Sequence, residues 1–160
     1  MLRRLHPVAG TVGLLTILTF WISTITTEIS GSRHAITVVK QAIPWGLPVL
    51  VLALAFAGAS GVRTAGGSNL PFIAAKRRRM PFIAANGLLI LIPSAISLDI
   101  LASQANFGAA FYCVQTLELI AGAINIALMS LNIRDGLRLT GRLGVARQNP
   151  VQSPIDTTAL

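Results

Sequence analysis

Little of this chain is equipped for chemistry: its 160 residues include one cysteine, two histidines and five acidic side chains. A lone Cys113 closes no intramolecular disulfide and builds no cysteine-based zinc or iron–sulfur site. It reads as a small buried apolar residue. The paired-histidine helix motif of zinc hydrolases, a phosphate-cradling glycine loop and a nucleophile elbow are all missing. Gly66-Gly67-Ser68 lacks the following Gly-Lys-Ser/Thr and reads as a linker. Glu28 and His34 could share acid–base work, but no nucleophile or metal ligand accompanies them, so an enzyme is not expected. Charged residues make up 11% of the chain against 53% apolar ones, too apolar a balance for an ordinary soluble domain.

The apolar residues collect in long runs. Four of these, about 7–29, 44–62, 81–102 and 107–131, are long enough for a hydrocarbon core that needs roughly 20 residues per helix. The fold class expected is therefore all-α: an integral membrane bundle of four transmembrane helices over residues 1–147, followed by a flexible tail at 148–160 whose two prolines and low hydrophobicity disfavour order. An arginine pair before an apolar run also describes a signal peptide, with cleavage after about Ser30. This run exceeds the roughly 7–15-residue core of such peptides, and Pro7 suits a first helical position, so a retained span is expected.

The net charge of +8 would suit nucleic acid if the basic residues formed one patch. They are instead distributed by segment. Arg3 and Arg4 precede the first span, Arg63 and the run Lys76, Arg77, Arg78 and Arg79 lie between the second and third, and Arg134, Arg138, Arg142 and Arg147 follow the fourth. Arg33 and Lys40 alone fall in the first connection, Ser30 to Ile43. The positive-inside rule then places both termini in the cytoplasm and the chain in a bacterial inner membrane as a multi-pass protein. No nucleic-acid partner is expected. The partner expected is the bilayer itself, with Lys76 to Arg79 at anionic headgroups, where each basic side chain contributes about 1 kcal/mol.

Within that frame, the first span carries Thr16, Thr19, Ser23 and Thr26 at helical spacing, for back-bonding or for contacts across helices. The first connection has periodic Ile36, Val39 and Ile43, the pattern of a short interfacial helix leading to Pro44. The second span has Ala53, Ala57 and Gly61 four apart, which permits close helix approach. Pro71-Phe72-Ile73-Ala74-Ala75 recurs as Pro81-Phe82-Ile83-Ala84-Ala85, a single pair and so not a repeat architecture. Pro93 in the third span removes a helical hydrogen bond and clashes with the Leu89 carbonyl, which predicts a kink.

The most informative pattern is in the fourth span. Gln115, Glu118, Gly122, Asn125, Met129 and Asn132 follow steps of three and four and so share one helix face. A carboxylate at mid-bilayer costs about 2.5–3.5 kcal/mol on insertion scales, so it faces protein or water. Asn86, Ser94 and Ser97 on the third span are candidates to face this stripe. The spacing leaves open whether the stripe faces the chain's own interior or a neighbouring subunit.

Three functions fit. The first expectation is a non-catalytic accessory or assembly subunit that docks through small-residue faces onto copies of itself or a larger membrane complex. The second is binding or transport of a proton or small solute centred on Glu118, although no inverted repeat of a secondary transporter is present. The third is a b-type haem electron carrier. His6 and His34 bracket the first span, about 42 Å apart along a continuous helix, too far to share one haem within a subunit. His6 with Met129 is the remaining ligand pair. His6-Pro7 with Gly10 resembles the helix start of cytochrome b561 proteins, over three residues only, and assigns no family.

Overall fold

The computed structural model describes residues 2–64 and 71–139, with side chains over 7–59 and 79–137. His6, Gly61, Arg63, Lys76, Arg77 and Arg78 lie outside the described side chains, as do the first copy of the Pro-Phe-Ile-Ala-Ala pair, the linker glycines, Arg138, Arg142, Arg147 and the tail.

The described chain is all helical. Helix α1 runs over Leu2–Ser30, α2 over Arg33–Thr64, α3 over Pro71–Asn86 and α4 over Ile92–Ser103, and α5 over Ala109–Leu139. A π-helical turn, Gly87–Leu91, joins α3 to α4 into one continuous rod. Four stretches are long and apolar enough to cross a membrane: Pro7–Ser30, Arg33–Ala59, Arg79–Ser103 and Ala109–Leu137.

The first connection is only Gly31 and Ser32. Gly31 takes a left-handed φ of +66°, the conformation that ends a helix most cheaply without a Cβ, and its N–H bonds to the Glu28 carbonyl. The Ser32 hydroxyl then accepts the Ala35 N–H at 3.3 Å, the geometry of an N-cap. Helix α2 therefore starts at Arg33, where the sequence pattern had suggested a loop with an interfacial helix as far as Ile43. Pro44 and Pro48 lie inside α2 rather than at its start. Between them, Gly46 has no room for a side chain, since an added Cβ would overlap the Phe20 ring of α1. The missing side chain is what brings α1 and α2 together.

Pro93 has its effect upstream. The Ile92 N–H bonds to the Gly87 carbonyl, a five-residue step that opens the turn before the proline and relieves the carbonyl that its ring would otherwise strike.

The helices pack in a closed ring: α1 against α2 and α5, and α4 against α2 and α5. Two apolar clusters fill it. One contains Ile17, Leu50, Ile83, Leu91, Ala121 and Met129. The other, nearer the tight turns, contains Ile36, Leu98, Ala102 and Phe111. At that turn end, Phe107 meets Phe111 edge-on at 5.0 Å, and the Arg33 guanidinium lies over Phe107. Ala53 and Ala57 are buried within the chain, Ala53 beside Gly13 of α1. These two small residues serve internal packing. The outward residues are large and apolar, among them Trp45, Leu52, Phe56 and Leu89.

Candidate functional site

The stripe on α5 faces the interior of its own chain. Gln115, Gly122, Asn125, Met129 and Asn132 are all buried, Glu118 is nearly so, and one turn further Asp135 extends the same buried row. The sequence pattern ended at Asn132; the structure adds Asp135. From 115 to 135 the row covers about 30 Å of helix, close to the thickness of a hydrocarbon core.

The centre of the site is a residue the sequence pattern assigned to a surface loop. Lys40, only 1% exposed, projects from α2 across the ring, and its Nζ donates to Glu118 Oε2 at 2.5 Å and to Thr24 Oγ1 of α1 at 3.3 Å. Glu28, one turn after Thr24 on α1, also interacts electrostatically with Lys40. Its Oε1 is buried and meets no hydrogen-bond partner. A carboxylate, an ammonium and a hydroxyl thus meet from three helices about two turns below the turn end, and Glu28 lies nearer that end, beyond ion-pair distance of Lys40. Inserting two ions costs about 5–7 kcal/mol on insertion scales. At the 2.5 Å between Nζ and Oε2, one attraction with an effective dielectric of 20 returns about 6–7 kcal/mol, the same size as that cost, so the Lys40–Glu118 pair offsets its own insertion.

Beside this cluster lies a cavity of about 40 Å³, lined by Thr24, Trp21 and Glu118 at its polar end and by Ile17, Leu50, Leu91 and Gly122 further in. The Trp21 indole N–H donates to the Leu119 carbonyl at 2.9 Å, which fixes the ring over Gly122. One turn beyond, Asn86 Nδ2 donates to Asn125 Oδ1 at 2.9 Å and to the Ala121 carbonyl at 2.8 Å. Asn125, 1% exposed, sends its Nδ2 toward the Ile83 carbonyl. At the far end, Arg79 Nη1 lies 2.7 Å from Asp135 Oδ2, and Arg134 contacts the other carboxylate oxygen at 3.3 Å.

The remaining predicted residues are placed as follows. Gln115, 3% exposed, has neither amide atom hydrogen-bonded, and Asn132 Oδ1 is likewise without a partner. Ser94 is buried, whereas Ser97 bonds back to the Pro93 carbonyl of its own helix. Thr16, Thr19 and Thr26 also back-bond within α1; Thr24, which lies off that hydroxyl series, is the one that reaches Lys40. Met129 sits in the apolar core against Gly13, His34 is exposed at the start of α2, and Cys113 is exposed rather than buried. Among the described residues no three His, Cys, Asp or Glu side chains gather as metal ligands.

Comparison with protein-family models, with curated proteins and with solved structures found no match to this chain.

Proposed function

We propose that this protein is a multi-pass protein of the cytoplasmic membrane that binds and passes a proton or small solute at the Lys40–Glu118 site. The observation that carries the reading is the burial of Lys40 between Glu118 and Thr24, with Glu28 beside it, inside helices otherwise built of Leu, Ile and Ala. Ionisable groups at such positions mark ion and proton routes in membrane proteins. The buried row on α5 continues that polarity from Gln115 to Asp135. An accessory-subunit role receives less support, because Ala53 and Ala57, offered by the sequence as docking positions, are buried within the chain, Ala53 beside Gly13 of α1.

Topology follows from charge. The segment carrying Arg63 and Lys76 to Arg79 and the end of α5 carrying Arg134 belong on the cytoplasmic side, with the two tight turns outside. Anionic headgroups are the lipid partner of that basic side.

The test is Glu118→Gln in liposomes. The amide keeps an acceptor for Lys40, and Glu28 remains as a counter-charge, so the variant folds. The expected result is loss of flux of the conducted species across the bilayer. Equal flux in wild type, variant and protein-free liposomes sinks the reading.

A further inference from the structure

Resting on the reading above, the charge of the cluster indicates what the site takes up. Glu28, Lys40 and Glu118, all ionised, sum to one negative charge, and Glu28 is the half-buried member whose Oε1 is enclosed without a hydrogen-bond partner. A species with a single positive charge neutralises the cluster. The cavity of about 40 Å³ lies on the Glu118 side, is lined by neither Glu28 nor Lys40, and accommodates one to about three waters. A metal cation needs several converging oxygens, and the Lys40 ammonium already holds the position between Glu118 and Thr24.

The two carboxylates are not equivalent. Glu118 accepts the direct Lys40 hydrogen bond. Glu28 has Lys40 only as a neighbouring charge, and its Oε1 is buried without a hydrogen-bond partner. The other ionisable groups at this end are Arg33 and His34 on α2 and Tyr112 and Cys113 on α5, all exposed, and Asp99 on α4, which accepts a bond from Ser103. None is a described partner of Glu28. Its place, two residues before the end of α1, also puts it nearest to water.

We propose that the site binds one proton per chain, on the Glu28 carboxylate, while Lys40 and Glu118 stay as a fixed ion pair that sets the charge of the pocket. Protonation converts the carboxylate to a neutral acid and brings the cluster to net zero. Glu28 is then the loading group at the rim, and the Glu118 side of the pocket leads into the cavity.

Infrared difference spectra of the full-length protein in liposomes, recorded between acidic and alkaline buffer, read the protonated-carboxyl carbonyl band directly. Proton flux under a pH gradient is measured in parallel with a trapped pH dye. The expected result is one pocket carboxyl band per chain that moves in Glu28→Asp, stays in place in Glu118→Asp and vanishes in either Gln variant, since each amide leaves the cluster neutral without a bound proton, together with at least a tenfold loss of flux in Glu28→Gln. The Glu28→Asp variant separates loss of the acid from loss of the fold. A band that moves in Glu118→Asp and stays in place in Glu28→Asp overturns the assignment to Glu28, as does flux that requires sodium or potassium rather than protons. In both cases the broader conduction reading stands. Wild-type protein that carries no proton or ion at all defeats that reading itself.

Discussion

Lys40 and Glu118 meet across the diagonal of the helix ring, from α2 and α5, two helices whose backbones do not pack against each other among the described residues. Lys40→Met or Glu118→Leu, by leaving a buried charge without its partner, is expected to cost about 3–5 kcal/mol. The double variant, which removes both ions and keeps the volume, is expected to recover most of that loss. Unfolding in mixed micelles with increasing denaturing detergent checks the cycle, and additive losses would refute the pairing.

Trp21 is held over Gly122 by its bond to the Leu119 carbonyl, and a Cβ at position 122 would stand 3.0 Å from the indole Cδ1. Gly122→Ala is therefore expected to push the ring off that carbonyl, at a cost of about 1–3 kcal/mol for overpacking. In a Trp45→Phe background, which leaves Trp21 as the sole tryptophan, the emission maximum on selective tryptophan excitation should shift relative to the parent. An unchanged spectrum would mean that the indole is not fixed there.

The Asn86–Asn125 contact joins α3 to α5 by side-chain hydrogen bonding. A double-mutant cycle with alanine at both positions should give a coupling of about 0.6 kcal/mol, the average for hydrogen bonds between membrane helices, and below about 1.7 kcal/mol. Zero coupling would show that each amide is satisfied elsewhere.

Asp135 is buried, but Arg79 and Arg134 on either side of it reach partly exposed positions. When Asp135→Asn removes the negative charge, both guanidinium groups can be solvated, unlike Lys40. The loss should be on the order of 1 kcal/mol, smaller than for Lys40→Met, and should shrink with added salt. A loss equal to that of Lys40→Met would mean that the arginines are as enclosed as the lysine.

Topology can be read with one engineered thiol. Gln104 lies exposed in the turn between α4 and α5, so Gln104→Cys in a Cys113→Ala background should react with a membrane-impermeant maleimide added to intact cells. Labelling only after lysis would invert the proposed orientation.

Periodicity made the α5 row legible, because steps of three and four choose one face regardless of what packs on it. Glu118 was visible for the same reason. Its partner was not, because Lys40 looks like a surface charge when Pro44 is taken as a helix start, and a proline inside α2 breaks that rule. The signal that places it correctly is shorter: Gly31 as a helix terminator followed by Ser32 as a cap leaves no loop, which moves Lys40 two turns into a helix. Charge sign along the chain says nothing about Thr24 or Glu28 joining it. That depends on the rotation of α1 against α2, fixed by Phe20 over Gly46. Asp135 lies past the fourth apolar run, which ends near residue 131, and the glycine that follows it, Gly136, favours a helix end, so the pattern gives no reason to extend the row that far.

The two-residue turn at Gly31-Ser32 also bears on biosynthesis. With so short a connection, α1 and α2 form one hairpin, which is complete in the growing chain before α5 has been made. A hairpin that enters a bilayer at that stage carries Lys40 without Glu118. Glu28 is the only acidic residue on that hairpin, and it lies next to the lysine. The carboxylate that unbalances the finished cluster is thus the one that balances the nascent hairpin, and the arrival of Glu118 on the last helix releases it from that duty.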